Sequence, residues 1–256
     1  MKRILIVSLL VLCGALSAYA WGPEGHGTIC AIAEKNIKPS TKKALDHYLG
    51  RGIAFYGVWA DEYRSDPRYA YSTHHAFNVD VNNKYVPSKD WMDSIQLIEE
   101  ACRLIKDRKN QTDSTVTVQI KILIHNLGDI HCPGHVKYCD INTNFKVIPY
   151  KGLTNQVSYH SVWDQEIIDR RHAGLSTRDL ADDLARLDRK AIKAVQAGTP
   201  VDWAEQTARE MRVIYDMAHP GDVLFKEFYN PAWDIVQSQM ILGGYRLAAI
   251  LDEIFK

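Results

Sequence analysis

Residues 116–130 constrain this chain most. The stretch is strongly apolar and reads as one helix, yet it carries an imidazole and a carboxylate, His125 and Asp129. These lie four positions apart, so both side chains leave the same face of the helix. Ile122, Leu123, Ile124 and Leu127 surround the pair with hydrocarbon, which places the helix in a core. A buried imidazole or carboxylate is costly unless it is hydrogen-bonded, paired or bound to a metal. Any fold for this chain must therefore bring partners to this helix. Pro133 and Gly134 stop the helix and let His135 turn back toward the same cavity. Gly128, beside Asp129, leaves room for another group to approach the backbone.

The rest of the chain is read as mostly helical. Residues 40–49 form a helix capped by Ser40 or Thr41 and ending at Gly50. In 91–109, Trp91, Ile95, Leu97, Ile98, Ala101, Cys102 and Ile105 recur at helical spacing. Two amphipathic helices, 176–197 and 202–217, are separated by Gly198 and Pro200, and a last helix covers about 231–255. The exception is 144–150, where Phe145, Val147 and Pro149 alternate with polar positions, a short β-hairpin or a loop. With no repeat and no low-complexity linker, one all-α domain is expected over residues 21–256.

Residues 1–20 have the three parts of an export signal: Lys2 and Arg3, an apolar run from 4 to 16, and small residues ending in Ala18-Tyr19-Ala20. The apolar run falls short of the roughly 20 residues of a membrane span. Cleavage after Ala20 would leave Trp21 with a free α-amine beside its own carbonyl oxygen, with His26 five residues on. These atoms form a potential metal site. The localisation implied is periplasmic or secreted. With Lys2 and Arg3 removed from the 31 basic side chains, 29 face 31 acidic ones, a formal charge of −2. No basic run marks a nucleic-acid grip through counterion release, so a polyanionic substrate would be attracted mainly by bound cations. Cys30, Cys102, Cys132 and Cys139 remain in the mature chain, and a Cys132–Cys139 disulfide across a loop is expected.

His160 and Asp164 repeat the four-residue spacing inside Tyr-His-Ser-Val-Trp-Asp. Trp59-Ala60-Asp61 sets a carboxylate among apolar groups. Thr73-His74-His75 offers neighbouring imidazoles, only one of which points inward, and His75 is preferred. His131 supports the site by a hydrogen bond. His47, His172 and His219 have no motif and are placed on the surface, while Trp59 and Trp163 are core wedges. Asn110-Gln111-Thr112 fits a glycosylation acceptor.

At this point the chain resembles the zinc-dependent S1/P1 nucleases. The resembling segments are Trp-Gly-x-x-Gly-His at 21–26, Trp-Ala-Asp at 59–61, His75 with Asn78, and His-x-x-Gly-Asp-x-His-x-Pro-x-His at 125–135. They continue with Thr-Asn at 154–155, His-Ser-Val-Trp-Asp at 160–164 and Gly-Tyr-Arg-Leu-Ala-Ala-Ile-Leu at 244–251, spanning nearly the whole mature chain. The resemblance implies the all-α fold of the phospholipase C/P1 nuclease type and three zinc ions. One takes His75, His125, Asp61 and Asp129. A second takes the Trp21 amine and carbonyl, His26 and the bridging Asp129, and the third takes His135, His160 and Asp164. It further implies a phosphodiesterase that cleaves single-stranded DNA or RNA to 5′-phosphorylated nucleotides, with 3′-nucleotidase activity; no stable protein partner is implied, and a monomer is expected. Asp61 would orient the attacking water, Arg64 would contact the phosphate, and Asn78 would hydrogen-bond a base.

The chain departs from the family at Ala76. The family places an aromatic residue there, directly after the His75 position, to stack on a nucleobase. Stacking is worth about 1–3 kcal/mol per base, so its loss changes base binding unless Phe77 or a tyrosine from elsewhere substitutes. Zinc phospholipase C is the runner-up, sharing the fold and the amino-terminal Trp. That family has Glu where Asp164 stands and lacks the His-Ser-Val-Trp-Asp run. A non-catalytic zinc-binding or adhesion module is the third reading, and Asp61 with Arg64 argues against it, because storage needs no phosphate clamp.

Overall fold

A computed structural model describes residues 21–149, 155–172, 174 and 176–256. The expected export signal at 1–20 lies outside the described residues, as do Tyr150 and Thr154. The helices are α1 (Pro23–Asn36), α2 (Pro39–Tyr48), α3 (Trp59–Glu62), α4 (Ser94–Lys106), α5 (Asp113–Asp129), α6 (Tyr159–Ser161), α7 (Ile167–His172), α8 (Thr177–Leu184), α9 (Arg189–Val195), α10 (Pro200–Met211) and α11 (Lys226–Ile254). The strands are β1 (Phe77–Val79), β2 (Tyr85–Val86), β3 (Val136–Tyr138), β4 (Lys146–Val147) and β5 (Val157–Ser158). The all-α expectation holds, with short strands added.

The core is built around α1, whose residues 25–33 are all buried. α1 packs against α11 and α8, and α4 packs against α5. At the crossing of α1 and α11 a Cβ on Gly244 would lie 2.5 Å from Cβ and Cγ2 of Ile32 and 3.1 Å from the Ile29 carbonyl. The missing side chain lets the two helices touch backbone to side chain.

Capping side chains set several boundaries that apolar periodicity misplaces. Asp93 accepts from the amides of Ile95 and Gln96, and the Gln96 side chain returns to the Asp93 amide, so α4 starts at Ser94. Trp91 therefore lies outside the helix and is exposed. The expected helix 176–197 is two helices, because Asp188 accepts from the Ala191 amide at 2.8 Å and starts α9 afresh. Gly198, at φ +103°, then turns the chain into α10, which Thr199 and Asp202 cap reciprocally from Pro200. Residues 212–216 continue α10 as a 3₁₀ turn. α2 begins at Pro39 with no side-chain cap, rather than at Ser40 or Thr41. α11 begins before Pro231, at Lys226; Phe228 anchors that first turn against Trp163, ring centroids 5.7 Å apart.

The 144–150 segment contributes β4, which pairs antiparallel with β5. A second sheet, of order β2-β1-β3, was not visible in the sequence; β1 runs antiparallel to β2 and parallel to β3. The expected disulfide is absent: Cys132 and Cys139 are both free. Cys132 is turned inward and buried, whereas Cys139 is exposed.

Substituting Gly244→Ala should lower thermal stability. Overpacking of this kind costs about 1–3 kcal/mol, roughly 2–4 °C in Tm per kcal/mol for a domain this size. A calorimetric Tm equal to or above that of the parent would contradict the tight α1–α11 contact.

Candidate metal centre

The site is assembled on α5. His125 and Asp129 both face inward and are fully buried, as expected from their spacing. The Gly57 carbonyl lies 2.8 Å from His125 Nδ1. A carbonyl only accepts, so Nδ1 carries the proton and Nε2 presents its lone pair to the cavity. That Nε2 is 3.1 Å from Asp129 Oδ2 and 4.0 Å from Asp61 Oδ2. Gly57 is a functional residue the sequence reading missed; a Cβ there would meet His26 Cβ at 2.9 Å. Two glycines near a metal-site imidazole carry no motif that would have marked this one.

α1 delivers His26. Its ring stacks on that of His125, centroids 4.4 Å apart, and Nε2 lies 3.4 Å from Asp129 Oδ1. Gly128 makes this possible, since a Cβ at 128 would sit 2.7 Å from His26 Nδ1. The room left beside Asp129 is filled by an imidazole. The segment before α1 is fastened at two points. Trp21 is fully buried and its Nε1 donates to the Gly128 carbonyl at 2.8 Å, while the Gly22 amide donates to the Asp164 carbonyl at 2.9 Å. The amino terminus of a chain starting at Trp21 therefore begins beside this cluster.

The small sheet supplies the next pair. In the β1–β3 register Phe77 faces Val136, which brings the preceding residues His75 and His135 together. Their rings stack at 4.6 Å, and His160 stands 5.9 Å from His75. His74 points elsewhere, with Nδ1 3.3 Å from the Met92 carbonyl. His135 lies between two acids, Nδ1 3.5 Å from Asp129 Oδ1 and Nε2 3.3 Å from Asp164 Oδ1. His160, one-fifth exposed, places Nε2 2.8 Å from Asp164 Oδ2. Between them the chain forms a widened π turn, the Ile167 amide bonding to the Val162 carbonyl.

None of these imidazole–carboxylate approaches has hydrogen-bond geometry. Both nitrogens of His26 and His135, both oxygens of Asp61 and Asp129, Nδ1 of His75, Nε2 of His125 and His160, and Oδ2 of Asp164 are buried without a hydrogen-bond partner. Groups of donors lie within 4.8 Å of one another: His26 with His125 and Asp129, His75 with His135 and His160, and Cys132 with His135 and Asp164. Converging lone pairs of buried groups fit divalent cations, and imidazole with carboxylate suits zinc.

Electrostatics agree with that use. Burial pushes His26 down to about 4 and, with the neighbouring His135 and His160, His75 down to about 2. Both are thus held neutral with free lone pairs. Burial raises Asp129 to about 7, against the pull of His125 and His135. Burial also acts to raise Asp164, but the His160 and His135 imidazoles outweigh it and hold that carboxyl low.

Two further groups stand around the donors. Cys132 Sγ lies 3.2 Å from Asp164 Oδ1, the contact that replaces the expected disulfide. His131 donates from Nδ1 to the Leu127 carbonyl at 2.8 Å and accepts on Nε2 from Arg246 Nη1 at 2.9 Å. The buried Arg246 also reaches the Val195 carbonyl and Gln206, so it straps α11 to the turn between Asp129 and His135. Of the remaining sequence candidates, Asp61 is buried on α3, Arg64 is half-exposed just beyond it, and Asn78 is half-buried on β1. Phe77 is fully buried and cannot offer a stacking face in place of Ala76. Trp59 and Trp163 are core residues, and His47 and His219 are exposed.

The chain matches the family model described as S1/P1 Nuclease over residues 21–256. It is 26% identical to "Endonuclease 5" of Arabidopsis thaliana over 289 residues, covering 99% of this chain and 97% of that protein. It is 25% identical to "Nuclease S1" of Aspergillus oryzae over 289 residues, with 99% and 98% covered. For "Nuclease P1" of Penicillium citrinum the figures are 24% over 270 residues, with 91% and 97% covered. The family match begins at Trp21, takes in every donor of the buried cluster and runs to the last residue, and the chain belongs to the S1/P1 nuclease family.

Proposed function

We propose that the mature chain, residues 21–256, is an exported, monomeric, zinc-dependent nuclease. It hydrolyses single-stranded DNA or RNA to 5′-phosphorylated nucleotides and removes 3′-phosphate from mononucleotides. One observation carries this reading: imidazole nitrogens and carboxylate oxygens without hydrogen-bond partners, from segments between His26 and Asp164, converge in one buried cluster. The names of the relatives, nucleases and endonucleases covered along nearly their whole length, support the nucleic-acid substrate.

In this reading His75, His125, Asp61 and Asp129 hold one zinc. His26, Asp129 and the amine and carbonyl of Trp21 hold a second, and His135, His160 and Asp164 a third. Bound zinc supplies positive charge against the phosphate and makes water more acidic at neutral pH. The chain's own groups do the rest. Asp61, on the rigid turn of α3, accepts a hydrogen bond from the attacking water and aims it at phosphorus. Arg64 faces the non-bridging phosphate oxygens as a fixed cation that offsets charge gained in the transition state. Asn78 hydrogen-bonds a base edge. The buried Trp21, Trp59 and Trp163 stand beside the donor-bearing segments as low-dielectric surroundings, which strengthens each of these interactions. Among the described residues no helix is long and apolar enough to cross a membrane.

Single-stranded DNA and phosphatidylcholine, offered in parallel, test the reaction. The expected products are 5′-phosphorylated nucleotides; phosphocholine without nucleotides would mark a phospholipase C instead. Dialysis against a chelator should abolish cleavage and lower Tm, since ligands of the native state stabilise it; retention of both would exclude a structural metal centre. Asp61→Asn should reduce kcat by about 10²–10⁴-fold. Unchanged hydrolysis would remove Asp61 from the mechanism. A protein carrying one extra residue before Trp21 turns the amine into an amide, a poor zinc ligand. It should bind one zinc fewer by elemental analysis, and an equal zinc content would contradict ligation by the amine.

A further inference from the structure

A strip of alternating rings and cations leads away from the metal cleft along the outside of α5. Lys121 lies on α5 one turn before His125, and its ammonium sits 4.8 Å from the ring centre of Tyr56 and 5.0 Å from that of Trp59. On one side Tyr63 stacks on Trp59 at 5.1 Å. On the other, Phe55 meets Tyr56 edge to face at 5.0 Å, and Arg51 caps Phe55 at 4.2 Å. The outer rings are open to solvent: Phe55 is 56% and Tyr63 42% exposed.

Two features separate this strip from an ordinary surface. Arg51 and Lys121 both rest on ring faces, and Lys121 is held between two of them, Tyr56 and Trp59; neither cation is ion-paired with a described residue. And the strip reaches the helix that carries the donors, because Lys121 and His125 lie four apart on one face of α5.

Resting on the nuclease reading above, we propose that this strip is an extended binding track for single-stranded polynucleotide. It holds nucleotides that flank the scissile phosphate, with bases stacked on Tyr63 and Phe55 and phosphates facing Lys121 and Arg51. Every nucleobase has a π-face, so ring stacking beside fixed cations grips a single strand without reading its sequence. A paired duplex keeps its bases stacked inside and cannot use the rings. The track also offers stacking faces that Ala76 does not provide.

The test compares a long oligothymidylate with a dinucleotide as substrates of the metal-loaded protein. Phe55→Ala should raise KM on the long strand about tenfold, the scale of one lost stacking contact, with kcat unchanged and both constants unchanged on the dinucleotide. Tyr63→Ala should weaken binding of a fluorescent phosphorothioate oligothymidylate, followed by anisotropy, by a similar factor, and Tyr63→Phe should restore it. Lys121→Met should flatten the slope of log KM against log salt by about 0.7, the signature of one phosphate contact on a single strand. Unchanged KM and anisotropy in Phe55→Ala and Tyr63→Ala would overturn the track, and so would an equal loss on long and short substrates in Phe55→Ala. Those results would leave the nuclease reading intact, provided the parent still cuts the oligomer. A parent that cuts no single strand would overturn both.

Discussion

The structure turns on the cost of burying donors that have no protein partner. The imidazoles of His26, His125 and His135 and the carboxylates of Asp61, Asp129 and Asp164 are almost wholly removed from water, and most of their polar atoms lack a hydrogen bond. At about 1–3 kcal/mol for each unsatisfied atom, such a set rivals the 5–15 kcal/mol net stability of a typical domain. Neutral imidazoles beside carboxylates are a poor solution for an isolated protein and a good one for a cation. The rest of the fold can be understood as the means of holding these groups together until that cation arrives.

Two kinds of scaffold do this. Helices supply pairs: α5 gives His125 and Asp129, and α6 with the π turn that follows it gives His160 and Asp164, through local spacing alone. Long-range contacts join the pairs. Gly128 admits His26 from α1, Gly57 admits the same residue from the other side, and the parallel pairing of β1 with β3 sets His75 beside His135. Arg246 reaches from α11 to His131, fixing the turn that separates Asp129 from His135. Small residues and one short sheet thus govern the site as much as the donors do, because close approach of backbones is what lets separate donors share a cavity.

Much of this was legible in advance. The buried face of α5 followed from apolar residues around a charged pair, and the inward choice of His75 over His74 followed from the alternation of neighbouring side chains. The donor list came from the family resemblance, and the structure gathers its side chains in one place. Other features were illegible for identifiable reasons. Strands as short as β1 and β3 carry too few residues to show alternation. The break between α8 and α9 depends on an Asp188 hydrogen bond that competes with helix continuation, and periodicity does not register it. The spacing of Cys132 and Cys139 allowed a bridge, but Cys132 faces inward to Asp164, a direction no spacing encodes.

The sequence by itself determined a helical chain, a metal-suited set of His and Asp residues and membership of a phosphoesterase-like pattern, because those depend on residue type and local period. Tertiary structure decided which donors meet, the neutral state of His26 and His75, the inward thiol and the ring-and-cation strip beside the cleft. Each of these rests on contacts between residues far apart in the chain and on the water those contacts exclude. Neither is a property of any single segment.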